Sequence, residues 1–402
     1  MKYWAWAGLV LVLAGCRAPS GAPIAPVALL ESPYVPSERS ENAYDGYLLA
    51  GREAADKLPE SYFRANLTSP TKRDVLEKLA GPIRDLVRAT RKPCRFEFRS
   101  SRPFETRPEL GGWAALGDCL VWQIEEHVNA ERFAQATEPF LAAVRFGFDL
   151  TGGSSAEAAT GFALVQRARQ ALAAGVDGLS ISQKRALTQS LQEALDRMPP
   201  FDQLAEHEGL QMRRAVDEVA GWRTLAKKDP KAWEALETKL GPLAYDVAKT
   251  IQNIEPEHAA EFFQKWADEV AAEVSLLKSR AQVPVVKRGE WALTTMKGRP
   301  WGELSKIFFR GGRSVLPMRD EALARTRLFI EGLRISAELK ERGEVSPKRA
   351  SLPIDPYSGQ PLIYRGSGTT FQLYSVGENG QDDGGRSDVS LRSPDILSEI
   401  AP

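Results

Sequence analysis

The sequence predicts a mainly α-helical protein, an irregular antiparallel helical bundle closed by a small C-terminal β-hairpin tail. Apolar residues recur at helical spacing over most of the chain, Pro and Gly pairs punctuate that pattern every 25–40 residues or so, and alternating strand-like runs are confined to the last fifty residues. The composition suits a folded body: of 402 residues, 43% are hydrophobic and 26% charged, close to ordinary globular usage. Lys+Arg and Asp+Glu number 53 each, so no general basic field attracts a phosphate backbone, no Lys/Arg stripe is interleaved with aromatics, and no nucleic-acid partner is expected.

The elements follow in order. Tyr44, Tyr47, Leu48 and Ala55 share one helical face, and Val75, Leu76, Leu79, Ile83, Leu86 and Val87 form the next stripe. Ser69-Pro70 is expected to supply a cap and first-turn proline for that second helix, and Pro82 to kink it. After a loop over 92–112, amphipathic segments are expected at 113–148, 155–174, 182–198, 202–227, 230–252 and 256–280, separated by Thr151-Gly152-Gly153-Ser154, Gly175-Val176-Asp177-Gly178, Pro199-Pro200, Asp229-Pro230 and Glu255-Pro256. Short turns of this kind favour antiparallel neighbours, and no tetratricopeptide-type repeat is legible. Residues 282–315 are mixed and locally basic, with Lys287, Arg288, Lys297, Arg299, Lys306, Arg310 and Arg313. A last helix is expected over 319–342, then a hairpin from Leu362-Ile363-Tyr364 and Phe371–Val376 around Gly366-Ser367-Gly368.

The N-terminus has a different composition. Lys2 precedes an uncharged run, Tyr3–Gly15, that ends in Leu13-Ala14-Gly15-Cys16, the layout of a signal peptide. Thirteen helical residues rise about 20 Å, short of the roughly 30 Å hydrocarbon core. Leu-Ala-Gly-Cys resembles the lipobox of bacterial lipoproteins; that resemblance implies cleavage before Cys16 and a thioether-linked diacylglycerol there, with fatty chains such as palmitate. Arg17, rather than Asp, is similar to lipoproteins sorted to the outer membrane. The alternative is an ordinary secretory signal. From Arg17 to Asn42 five prolines with Ser and Gly make a semi-extended tether, up to ~80 Å at about 3.1 Å per residue. The expected organisation is thus signal peptide 1–15, anchor and tether 16–42, helical domain 43–281, mixed segment and long helix 282–350, and β tail 351–402.

In the tail, Asp355-Pro356-Tyr357-Ser358-Gly359-Gln360-Pro361, Tyr374–Gly380 and Asp382-Asp383-Gly384-Gly385 with Asp388 resemble the C-terminal tail of major pseudopilins of type II secretion. The whole chain resembles envelope proteins of planctomycete-like bacteria in which a helix leads into such a tail. The pilin's hydrophobic assembly helix is missing here, which argues against a pilus subunit. In pseudopilins the acidic loop binds calcium, so the resemblance implies Asp382, Asp383 and Asp388 as carboxylate ligands with Ser375 or Asn379 helping, a donor set suited to hard Ca2+. Arg386 opposes a cation, and a Gly/Asp turn cluster without an ion is the alternative.

Catalytic patterns are thin. His207-Glu208-Gly209-Leu210-Gln211 has Gln where a zinc helix needs its second His, and no nucleophile elbow, Walker loop or dinucleotide fingerprint is present. Cys94 and Cys119 flank a loop and, in an exported protein, are expected to form a structural disulfide contributing on the order of 3 kcal/mol; two buried free thiols are the alternative. The expected function is a lipid-anchored envelope protein of structural or protein-interaction type, in the outer membrane facing the periplasm. An envelope hydrolase using carboxylates in a helical cleft and a secretion-system accessory lipoprotein compete with it.

Overall fold

The computed structural model describes residues 36–37, 40–59, 62, 68–96, 107–240, 254–289, 310–386 and 395–400. The signal peptide, Cys16, most of the tether, most of the 282–315 basic segment and Asp388 lie outside them. The described chain is mainly helical, with a small three-stranded antiparallel sheet at its C-terminal end.

The helices are α1 (Ala43–Lys57), α2 (Ser69–Lys78), α3 (Ala80–Ala89), α4 (Pro108–Asn129), α5 (Phe133–Leu150), α6 (Ser155–Ala173), α7 (Ile181–Asp196), α8 (Phe201–Lys228), α9 (Pro230–Leu240), α10 (Ala259–Ala281) and α11 (Arg310–Arg342). Asn42 caps α1 by accepting from Tyr44 N at 3.2 Å. The cap of α2 is Thr68, one residue earlier than expected, and accepts from Thr71 N. Pro82 sits in the first turn of α3, where a missing N–H is harmless, so the expected kink is a break at Leu79 between two helices. The segment expected as one helix over 113–148 is two. It breaks at Glu131, which has φ 54; Arg132 N donates to the His127 carbonyl at 2.8 Å and Glu131 N to Val128 at 3.0 Å, the paired bonds of a Schellman stop. That position usually carries glycine, and a Glu there hides the boundary.

The principal core lies between α1 and α3–α7, with Phe329, Ile330 and Leu333 of α11 closing it. Trp113 is fully buried and donates Nε1–H to the Tyr47 carbonyl at 2.6 Å. Two crossings bring backbones into contact. A Cβ on Gly112 of α4 would overlap the Gly51 carbonyl of α1, and one on Gly147 of α5 would lie 2.7 Å from the Gly161 carbonyl of α6. The α8 and α10 helices pair as a long arm with its own small core, including Val219, Trp222, Phe262, Trp266 and Val270. Phe162, Phe201, Leu204, Leu277, Val315 and Leu316 join its base to α6 and α11.

The tail is part of the fold. Strands β1 (Ile363–Ser367) and β2 (Thr370–Ser375) pair with Ile363 opposite Tyr374 and Ser367 opposite Thr370. Gly368, with φ +58, fills the first position of the two-residue turn, as a type II′ geometry requires. A third strand not foreseen from sequence, β3 (Ile396–Leu397), adds to the far edge of β2. Leu362, Phe371 and Leu373 pack on Leu328 and Ile335 of α11. Asp355, 1% exposed, accepts from Tyr357 N, Ser358 Oγ, Ser375 Oγ and Val376 N, so one carboxylate pins the Asp-Pro-Tyr turn to the end of β2. Beyond β3, Glu399 takes Arg169 Nε and Nη2 of α6 at 2.7 and 3.0 Å, a bidentate pair across 230 residues of sequence.

Candidate functional site

A group of buried ionisable side chains sits where α1, α4, α5, α6 and α8 meet. It grows from a capping box. Ser154 caps α6 by accepting from Glu157 N, and the Glu157 carboxylate reaches back to Ser154 N, as Ser-x-x-Glu patterns do. Here the same carboxylate also accepts from Tyr44 Oη of α1 and from Arg107 Nη2 at 2.8 Å. Arg107, at the N-terminus of α4, spreads its other nitrogens to Glu109 at 3.0 Å and Ser154 Oγ at 3.2 Å. One buried anion therefore ties three helix starts together. Burial works against its charge, but the Arg107 guanidinium and the Arg107, Tyr44 and Ser154 hydrogen bonds hold Glu157 below the usual carboxylate range.

Two neighbouring acids shift the other way. Asp149, near the C-terminus of α5, accepts from Tyr47 Oη at 2.6 Å. Burial pushes its pKa up to about 6, opposed by the Tyr47 bond and the charges of Arg197 and Arg145. Glu208 of α8 accepts from Ser155 N at 2.6 Å; burial raises its pKa as well, Ser155 counteracts this, and the Glu157 charge adds to it. The Phe96 ring centroid lies 4.1 Å from that of Tyr44, the rings tilted by 50°, and 6.0 Å from that of His207. His207 and Glu208, singled out by their failed zinc pattern, thus lie at this junction, with Glu208 bonded to the α6 start rather than poised toward a metal.

A testable consequence concerns Asp149. Its folded pKa lies above the unfolded value, so the fold prefers the protonated acid. Stability falls as pH rises from about 4 to about 6 and keeps the full penalty above that. Asp149→Asn retains an oxygen for Tyr47 and removes the charge. It is expected to stabilise the protein by on the order of 2 kcal/mol at pH 7.5, with the gain fading toward pH 4. Urea unfolding of both proteins across that range checks it; a gain that does not vary with pH would contradict the assignment.

The other expected sites fare differently. Cys94 and Cys119 are both free thiols, so the expected disulfide is absent. Cys119 is buried in the middle of α4 beside Asp118, and burial pushes its thiol up to about 12. Cys94 lies in the segment packed on α1, where burial and the Asp149 and Glu157 charges raise its thiol pKa strongly; neither is a ready nucleophile. In the tail, Asp382 accepts from Tyr374 Oη at 2.8 Å, Gly384 N at 2.9 Å and Arg365 at 3.0 Å, and the Tyr374 and Gly384 bonds hold its carboxyl below the usual range. Asp383 accepts from Asn379 Nδ2 at 2.9 Å. Both Asp382 oxygens thus accept from protein donors, one of them cationic, and among the described residues, which do not include Asp388, no cluster of three His, Cys, Asp or Glu is placed to hold a metal. Ser375 serves Asp355.

A groove of about 540 Å³ runs between α7 and α11, lined by Arg185, Gln189, Gln192, Arg334, Glu338 and Glu341 among others. Arg185 bridges it to Glu341 at 2.7 Å, and Arg349 holds Glu338 at 2.6 Å. Its walls do not include Asp149, Glu157 or Glu208. Among the described residues no helix is long and apolar enough to cross a membrane.

No protein-family model, curated protein or solved structure matches the chain.

Sequence reading missed Tyr44, Arg107, Asp149 and Glu157 as a group. The signals were present singly: a Ser-x-x-Glu box, and an acid inside the apolar run Phe146-Gly147-Phe148-Asp149-Leu150.

Proposed function

We propose that this is a lipid-anchored cell-envelope protein of structural or protein-interaction type, held by Cys16 in the outer membrane with its helical body in the periplasm. The observation that carries a binding rather than a catalytic role is the junction itself. Glu157 accepts three donors from three elements, Glu208 bonds the α6 start and Asp149 bonds Tyr47, so the acids hold helices together, and none of them lines the α7–α11 groove. The lipobox and proline-rich tether of the sequence supply the address. The tail supports the same reading, since it is stitched to α6 and α11 and acts as a cap on the body.

The experiment is in-cell crosslinking of tagged full-length protein in its host, beside Asp149→Asn. The same stoichiometric membrane partner is expected with both, because Asn preserves the structural bond. If Asp149→Asn folds and accumulates normally yet removes an envelope phenotype that the wild-type gene complements, the junction is catalytic and the hydrolase reading replaces this one.

A further inference from the structure

We propose that the solvent face of α2–α3 is a docking surface for anionic phospholipid headgroups, which presses the body onto the membrane to which its tether leads; this rests on the anchored reading above. Charge is distributed unevenly in this neutral chain. Residues 68–96 carry eight basic and three acidic side chains, although Lys+Arg and Asp+Glu balance over the whole sequence. Arg84, Arg88 and Arg91 stand at i, i+4 and i+7 on the exposed side of α3 and its end, opposite Ile83, Leu86 and Ala89, which are buried against the bundle. Arg73 is exposed on α2.

The positive charge is only partly neutralised. Lys72 meets Glu125 at 4.0 Å, Lys78 meets Asp74 at 2.9 Å, Arg88 meets Asp85 at 3.1 Å and Arg91 meets Glu138 at 3.2 Å, all as exposed pairs of the kind that contribute little. Arg73 and Arg84 pair with no described carboxylate. Guanidinium groups suit phosphate because two N–H donors match two oxygens.

The root of the tether is fixed to this same segment. Lys92 Nζ donates to the Ser40 carbonyl at 2.8 Å, Asn42 Nδ2 donates to the Arg95 carbonyl at 2.7 Å, and Arg95 N donates to Asn42 Oδ1 at 2.9 Å. The chain therefore leaves the body beside this basic face. Tethering raises the effective concentration of that face at the bilayer, so a surface too weak to recruit the protein alone can still set its orientation. Each cation near an anionic leaflet strengthens partitioning roughly fivefold, within a Debye length.

The test uses the chain from Cys16 onward with Cys16→Ser, so that no acyl group contributes. It is sedimented with vesicles of phosphatidylglycerol and phosphatidylethanolamine, or of phosphatidylcholine alone. Binding to the anionic vesicles, lost at high salt, and weakened at least ~10-fold by Arg73→Glu/Arg84→Glu/Arg91→Glu with unchanged circular dichroism, is the expected result. Should the triple reversal fail to fold, Arg84→Gln/Arg91→Gln serves, with a smaller loss expected. Equal binding to phosphatidylcholine, or no effect of the substitutions in folded protein, overturns the proposal. The acyl state of Cys16 in protein from host membranes is read separately. An unacylated Cys16 with intact vesicle binding overturns the anchor and leaves the docking face, whereas an acylated Cys16 without vesicle binding overturns the docking face alone.

Discussion

Arg107→Ala is expected to destabilise the protein by about 3–5 kcal/mol, the range for removing one partner of a buried ion pair. Arg107 has no simple substitute. Its three nitrogens reach Glu109, Ser154 and Glu157, and without it the Glu157 carboxylate stays buried with only the Tyr44 hydroxyl and the Ser154 amide to stabilise its charge. Replacing both partners, as Arg107→Met/Glu157→Gln, is expected to recover a large share of the loss, because the harm lies in the orphaned charge more than in the missing attraction. Urea denaturation of the two variants separates these terms. A loss under about 1 kcal/mol for Arg107→Ala would mean that the junction does not hold the helices. The pH dependence carries an independent sign. Glu157 is held below the usual carboxylate range, so its contribution is present above the ordinary glutamate pKa and is lost as pH falls below it. Asp149 behaves oppositely. Acid destabilisation through Glu157 should therefore be blunted in Arg107→Ala while the Asp149 slope persists.

Gly161→Val is expected to cost at least about 3 kcal/mol, or to prevent accumulation of folded protein, since overpacking a close crossing forces backbones apart. A Cβ there would overlap the Gly147 carbonyl and sit 3.1 Å from the Leu150 Cβ, and α5 and α6 would have to separate. That movement would loosen Phe146 and Phe148, which are buried in the same core. Gly111, one turn into α4, is the internal control. A Cβ at that position meets nothing within 4 Å, so Gly111→Ala should be neutral or stabilise by up to about 1 kcal/mol through helix propensity. Thermal melts of the pair check both. Similar small effects at the two positions would contradict the close contact.

The parts of this fold that were legible in the sequence are those specified locally. The stripes of α1, α3, α6, α7, α8 and α10 follow from 3.6-residue spacing, and the hairpin from alternation around Gly368. The α4–α5 break was not legible because Glu131 occupies a left-handed position that glycine normally marks. The strand β3 escaped because two residues carry no periodicity. The junction was illegible for a different reason: Tyr44, Arg107, Glu157 and Glu208 are far apart along the chain, and only the packing of four helices brings them together. The expected disulfide failed on the same point. The spacing between Cys94 and Cys119 allows a loop to close, but it says nothing of direction, and Cys119 faces the interior of α4's packing.

The tethered reading turns on one atom, the sulfur of Cys16. Mass spectrometry of the N-terminal peptide of protein isolated from host membranes should find a chain beginning at Cys16 with a diacylglycerol on that sulfur. A mature N-terminus at any other residue, or an unmodified Cys16, would contradict it.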